Sequence, residues 1–226
     1  MAGAVMAVTG GSGFLGRAVI EAARGAGWEA AAIDHAATPP GADEGAFRIG
    51  GVDLADPAAA ARAVGAVVAR FGRLDALVNV AGGFRWQTLA DGPFESWAAL
   101  YAMNVLTAAA ASKAALPHLA ASGRGAIVNV GAMGAVKAAA GMGAYAAAKA
   151  GVHRLTEALA EEWKGRVRVN AILPSILDTP ANRADMPGAD PAASVSLAEA
   201  ARVILFLAGE DASAITGALL PVTGRV

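Results

Sequence analysis

Val5-Met6-Ala7-Val8-Thr9-Gly10-Gly11-Ser12-Gly13-Phe14-Leu15-Gly16 is the stretch on which the reading of the fold turns. Apolar residues of strand type run without a break into a glycine turn, and an apolar pattern of helical period follows. A strand that breaks at glycines and restarts as a helix leaves free backbone N–H groups and the positive end of the helix dipole at one point. That arrangement is a cradle for a pyrophosphate, and the glycines let the main chain approach it closely. A glycine-rich turn also serves as a plain tight connection, but the strand before and the helix after it supply the context that dinucleotide binding requires. Gly10, Gly13 and Gly16, with Ser12, Phe14 and Leu15 between them, are therefore candidate cofactor contacts.

The same rhythm continues along the chain. Apolar runs near Val5 to Val8, Ala30 to Ile33, Phe47 to Val52, Ala76 to Val80, Ala126 to Val130, Val167 to Ile172 and Ala218 to Val222 predict seven strands. Helices are predicted near Leu15 to Ala26, Pro57 to Phe71, Phe94 to Leu119, Met142 to Lys164 and Leu197 to Ala208. Continuous apolar runs, without polar alternation, mark strands buried on both faces, so the class is α/β with a parallel sheet built from βαβ units. With 226 residues and no linker, the chain reads as one domain, 1–226, able to bury a sizeable core. The turn-rich run from Asp178 to Ser196, with Pro180, Pro187 and Pro191, reads as a mobile flap beside the site.

Composition excludes several classes of function. Hydrophobic residues make up 56% of the chain but are mostly Ala and Val in short segments, so no apolar run of membrane-spanning length is expected. The N-terminal apolar stretch lacks a basic flank and enters a glycine turn, so it reads as a strand and not a signal peptide, with the cytoplasm as the expected location. There are no cysteines, and His35, His118 and His153 show no ligand spacing, so no metal site is expected. A formal charge of −1 with interspersed signs offers no basic stripe for nucleic acid. A small-molecule substrate is the remaining expectation.

Two further features carry chemistry. Tyr145-Ala-Ala-Ala-Lys149 places a phenol and an ammonium on one face of a helix, where the cation is expected to lower a phenol pKa that lies near ~10 when free. Such a pair is a device for proton transfer, although it also occurs on solvated helix faces. Asp34 ends the second strand, where a carboxylate accepts both adenosine ribose hydroxyls and repels a 2′-phosphate, which favours NAD(H). Arg17 nearby leaves NADP(H) open, and a plain turn aspartate is the other reading of Asp34.

The glycine loop, Asp34, Asp53-Leu54, Asn79-Val80-Ala81-Gly82 and the Tyr145/Lys149 pair, in this order and spacing, resemble the short-chain dehydrogenase/reductase family. The resemblance covers essentially the whole chain. It implies a doubly wound Rossmann fold and a nicotinamide cofactor, with Asp53 and Leu54 against the adenine and Asn79, Ala81 and Gly82 lining its central part. It further implies that Leu177 and Thr179 hold the carboxamide with Pro174 as another cofactor contact, that Tyr145 and Lys149 work on the ribose and the proton, and that Asn104 anchors a water relay from Lys149. Asn79 reads equally well as a bridge between strands. Family members commonly pair the helices corresponding to those of Asn104 and Tyr145 across a subunit interface, so a homodimer or homotetramer is expected.

One position departs from the family pattern. The serine that usually stands thirteen residues before the tyrosine is Ala132 here, and no Ser or Thr occurs between Gly125 and Tyr145. A hydroxyl that steadies a developing alkoxide is worth ~10² to 10³ in rate, by analogy with one oxyanion-hole donor. The dihydropteridine reductase branch of the family carries no such serine, and it is similar in the spacing Gly10-x-x-Gly13-x-x-Gly16, in Ala81-Gly82-Gly83 followed by Phe84 and Trp86, and above all in Leu177 to Asp190. A conjugated acceptor such as a quinonoid dihydropterin spreads its charge over several atoms and needs that donor less. Phe84 and Trp86 are candidates to stack on such a ring, or simply to plug the pocket mouth, with Ala132 and Met133 as further pocket residues. Two alternatives stay open: a carbonyl or hydroxyl oxidoreductase with a substitute for the serine, and a weak catalyst serving as a dinucleotide sensor or interaction protein.

Overall fold

The computed structural model describes residues 3–37 and 45–225. Seven strands form one parallel sheet in the order β3-β2-β1-β4-β5-β6-β7. They are β1 (Val5–Thr9), β2 (Glu29–Ile33), β3 (Phe47–Ile49), β4 (Ala76–Asn79), β5 (Gly125–Val130), β6 (Val167–Pro174) and β7 (Leu219–Val222). The helices are α1 (Phe14–Gly25), α2 (Pro57–Phe71), α3 (Glu95–Tyr101), α4 (Thr107–Ser122), α5 (Gly143–Glu162), α6 (Pro180–Asp185) and α7 (Leu197–Ala208). Strands β1, β4 and β5 are buried at every residue, which is why their sequences are apolar throughout. One core joins α2, α4 and α5 to one sheet face through residues such as Val64, Ala111 and Leu159, and the other joins α1 and α7 to the opposite face through Val19, Ile20 and Ile204.

The order of winding reverses between β1 and β4. Crossovers run outward from β1 through β2 to β3, then return to place β4 on the other side of β1, so the loops leaving β1 and β4 diverge to opposite faces and leave a crevice. Gly10 sits at that divergence with φ +65, and a Cβ there would stand 2.9 Å from the Ala81 nitrogen. A Cβ on Gly16 would run into the Gly10 carbonyl, so α1 can start this close to the turn only from glycine.

Three elements differ from the sequence expectation. The third strand covers only Phe47–Ile49, because it is an edge strand paired on one side and the chain turns away at Gly50 and Gly51. The long helix expected from Phe94 to Leu119 is α3 and α4 joined by a π-helical turn over Ala102–Leu106, which inserts a residue without breaking the axis. This continuous run, Glu95–Ser122, is by length and composition apolar enough to cross a membrane, contrary to the expectation that no such run exists; half of it is buried, as in a core helix. The segment from Asp178 to Ser196 holds α6, capped by the Thr179 hydroxyl, which accepts from Asn182 N–H at 3.1 Å. It is pinned to the strand end by a parallel bridge between Leu177 and Val195.

At the N-terminal edge of the sheet, Asp75 gathers the starts of β1, β4 and β5. It accepts from Val5 N–H at 2.8 Å, from Arg73 at 2.6 and 2.8 Å and from Arg124 at 3.0 Å. Burial alone pushes the Asp75 carboxyl up, but Arg73, the Val5 N–H and Arg124 outweigh it and hold the group below its usual value. Asp75→Asn is expected to destabilise the fold at neutral pH by somewhat less than the roughly 3–5 kcal/mol of a broken buried pair, since both arginines are partly exposed. A depressed carboxylate pKa stabilises above the unfolded value and the effect is lost as pH falls through the folded one, so the gap should narrow below about pH 4. Urea unfolding of both proteins at neutral and acid pH checks this, and an equal gap at both would contradict it.

Candidate active site

The crevice over the ends of β1 and β4 is an open cleft of about 860 Å³. Its walls bring together Gly10, Ser12, Gly13, Phe14 and Leu15 of the first loop, Asp34 directly after β2, Asp53 and Leu54 after β3, and Ala81 and Gly82 after β4. Gly16 lies beneath the loop and not on the cleft wall. The Asp34 carboxylate accepts from Ser12 N–H at 2.9 Å and from Ala36 N–H at 3.3 Å, so it also ties the turn after β2 to the glycine loop. Arg17 packs its guanidinium over the Phe14 ring at 5.5 Å. Sequence reasoning missed Val52, Ala102 and Met103 as cleft residues. Met103 faces the cleft because of the π turn, which leaves no trace in helical periodicity.

These residues fit a dinucleotide. The Ser12 hydroxyl oxygen is buried without a hydrogen-bond partner, which suits a phosphate oxygen arriving at the glycine loop. One cleft takes in Asp34, the glycine loop, Gly82 and Met103. Asn79, in contrast, does not face it: its amide nitrogen donates to Ser112 Oγ at 3.0 Å and to Asn129 Oδ1 at 2.8 Å. The strand-bridging reading of Asn79 is the one the geometry matches.

Beyond Gly82 lie the groups suited to proton transfer. Asn104, in the π turn, clamps the Gly83 peptide in both directions, accepting from Gly83 N–H at 3.3 Å and donating to its carbonyl at 3.1 Å. It also donates to Leu100 O at 2.9 Å. Asn104 is thus the fastener of the loop after β4, a role that the expected water relay did not include. Lys149 is buried on α5 and donates from Nζ to Val130 O at 2.8 Å. Asn104 Oδ1 and Lys149 Nζ converge on Gly82, at 2.5 and 3.5 Å from the point where a Cβ would stand. Tyr145, one turn before Lys149, meets the Phe84 ring edge to face with centroids 4.9 Å apart.

The electrostatics differ from the sequence expectation. Burial pushes the Tyr145 phenol up to about 12, and burial pushes the Lys149 ammonium down to about 8. The expected lowering of the phenol pKa by Lys149 is not what this arrangement produces, because the ammonium is turned to the Val130 carbonyl and both groups are desolvated. The phenol is therefore fully protonated at neutral pH.

Phe84 and Trp86 are 56% and 61% exposed, but Trp86 is committed to the loop before α5, where its indole N–H donates to Ala140 O at 3.1 Å and its ring lies against Gly141. Ala132 is buried where β5 ends, with Met133 beside it opening a short 3₁₀ turn. Pro174 ends β6, while Leu177 borders a separate cavity of about 180 Å³ under α6, where Arg183 and Asp178 form a two-point ion pair at 2.6 and 2.7 Å. Thr179 caps α6 with its hydroxyl.

A lysine whose folded pKa lies below its unfolded value of 10.5 costs stability at neutral pH, and the cost is relieved as pH rises from about 8. Tyr145 acts in the opposite sense only as pH rises above about 10. Relative to Lys149→Met, the wild-type protein is therefore expected to gain stability between neutral pH and about pH 9.5. Thermal unfolding at both pH values checks this, and a constant difference would contradict it.

Comparison with known proteins agrees with this geometry. D-threitol dehydrogenase of Mycolicibacterium smegmatis is 34% identical over 239 residues, spanning 98% of this chain and 92% of that protein. Galactitol 2-dehydrogenase (L-tagatose-forming) of Cereibacter sphaeroides is 36% identical over 98% of this chain and 94% of its own length. An NAD+-bound xylitol dehydrogenase structure superposes with a TM-score of 0.87 at 26% identity, covering 98% of both chains. Residues 4–189 match the family described as short chain dehydrogenase, and with a seven-stranded doubly wound sheet beneath the cleft the chain belongs to that family of oxidoreductases.

Proposed function

We propose that the protein is an NAD(H)-dependent reductase of a flat, conjugated acceptor, with Tyr145 as the acid. The observation that carries the reading is the Phe84 ring set edge to face against the buried Tyr145 phenol, together with Ala132 at the end of β5, where no side-chain hydroxyl is present. The bound reduced nicotinamide would supply the hydride. Ser12 and the N–H groups of the glycine loop would hold the pyrophosphate, Asp34 the adenosine ribose, and Asp53 and Leu54 would border the adenine. Asn104 fixes Gly83, and through it the floor on which the nicotinamide would rest. Tyr145 Oη would deliver its proton to the acceptor and take one back from solvent after turnover, while Lys149 would hold the nicotinamide ribose. A quinonoid dihydropterin has the required shape and charge delocalisation.

A second reading, a hydroxyl or carbonyl substrate, is favoured by the names of the relatives, which are called dehydrogenases of D-threitol and galactitol. It requires a donor other than the side chain at position 132. The test is NADH oxidation with chemically generated quinonoid dihydropterin beside a panel of ketones and 3-oxoacyl thioesters, with Ala132→Ser in parallel. Conjugated-acceptor turnover should be nearly unchanged in Ala132→Ser while ketone reduction rises about tenfold or more, and Tyr145→Phe should lose at least ~10² of activity. Turnover of ketones alone would establish the second reading instead.

Cofactor choice follows from Asp34, whose charge faces the same cleft as Ser12. Asp34→Asn keeps an acceptor for the Ser12 N–H while removing the charge that repels a 2′-phosphate. It should raise kcat/KM for NADPH relative to NADH about tenfold. An unchanged ratio would remove Asp34 from the account of specificity. We further propose that the helices α4 and α5 pair copies of the chain into a dimer or tetramer, consistent with the exposed Tyr101 and Leu106 beside the small residues of α4.

A further inference from the structure

The main chain leaving β5 is held by three different partners. Val130 O accepts from Lys149 Nζ at 2.8 Å, Gly131 N–H donates to Ile172 O at 2.9 Å, and Ala132 N–H donates to His153 Nε2 at 3.3 Å. His153 is 3% exposed and lies on α5 one turn beyond Lys149 and two beyond Tyr145, so the three side chains form one stripe. The imidazole occupies space that a side chain at position 131 would need: a Cβ on Gly131 would stand 2.5 Å from Nε2 and 2.8 Å from Cδ2. Gly131 and His153 are therefore a matched pair.

We propose that His153 is a positioning residue of the active site: by accepting the Ala132 N–H it fixes the Val130–Ala132 main chain, and with it the carbonyl that anchors Lys149 next to Tyr145. This inference rests on reading Tyr145 and Lys149 as the proton-transfer pair. An imidazole accepts at Nε2 only when that nitrogen bears no proton, so the proton sits on Nδ1. Protonation would turn the acceptor into a second donor facing the Ala132 N–H, and the contact would be lost.

The surroundings keep His153 neutral near pH 7. Burial pushes its pKa down, as do Arg154 and Lys149 on the same helix. From the elements packed against α5, β5 brings no titratable side chain, and the one on β6, Arg168, is spent on the carbonyls of Leu207, Ala208, Gly209 and Ala212. The π and 3₁₀ turns bring none. Helix α3, which carries Glu95 and Tyr101, packs on the neighbouring Ala144, Ala148 and Val152 stripe, with Tyr101 against Gly151.

The test is the pH dependence of kcat and KM for wild type, His153→Gln and His153→Leu with an acceptor the enzyme turns over. Glutamine can accept the same N–H and does not titrate. Wild type should show an acid limb in kcat; His153→Gln should keep kcat within about threefold at neutral pH, with that limb moved down by about one pH unit or more. His153→Leu should lower kcat about tenfold with KM little changed. An acid limb in His153→Gln identical to wild type, or unchanged kcat in His153→Leu, would overturn the proposal. A second measurement needs neither variant nor acceptor: ¹⁵N–¹H NMR of the wild-type protein should show the Nδ1–H tautomer and an Ala132 amide resonance that moves with the His153 titration. The Nε2–H tautomer, or an Ala132 amide blind to that titration, would also overturn it, whatever the substrate proves to be.

Discussion

The structure depends on the close approach of two backbone loops over the centre of the sheet. The turn after β1 and the turn after β4 meet at Gly10 and Ala81, at a separation that leaves no room for a Cβ. Ala81 N–H donates to Thr9 Oγ1 at 3.2 Å, so the contact is fastened by a hydrogen bond as well as by packing. From the far side Asn104 grips Gly83, two residues on, with a reciprocal pair of hydrogen bonds. The floor of the cleft is thus main chain held by buried polar side chains, a surface that presents backbone groups to a ligand.

Desolvation sets the chemistry that this floor can support. Tyr145 and Lys149 lie one helical turn apart, yet burial moves each toward its neutral form, the phenol up to about 12 and the ammonium down to about 8. A phenol raised this far is protonated at neutral pH but is a weak acid, so it parts with its proton only to an acceptor that is gaining negative charge. The Phe84 ring lies edge to face against that phenol, and the buried residue at the end of β5 is Ala132, which carries no hydroxyl. Trp86 is held by the loop before α5 and Phe84 meets the Tyr145 ring, so both aromatic residues are tied to the helix that carries Tyr145.

Most of the sheet was legible in the chain because its strands are buried on both faces and therefore read as unbroken apolar runs, and because Gly10 and Gly16 mark where the backbone must pass closely. The short edge strand was overestimated, since an apolar Phe47 to Val52 reads the same whether or not a partner pairs with its far end. The π turn around Asn104 was invisible, as one extra residue in a helix leaves an apolar Ala-rich pattern unchanged. Asp34 and the glycine loop could be placed on the cleft from spacing alone, whereas the Asn104 clamp and the His153 contact could not, because both depend on how a helix packs against a strand end. The signal for the second was the glycine at position 131, directly before Ala132. Similarity to pteridine reductases in short segments pointed to a substrate that the named relatives do not share.

The central claim is that a nicotinamide bound across this crevice ends beside Tyr145. A crystal structure of the protein soaked with NADH tests it most directly. The account predicts the pyrophosphate on the glycine loop next to Ser12, the adenosine ribose on Asp34 and the nicotinamide over Gly82 within reach of Tyr145. A dinucleotide bound elsewhere, or one whose nicotinamide turns away from Tyr145, would contradict it.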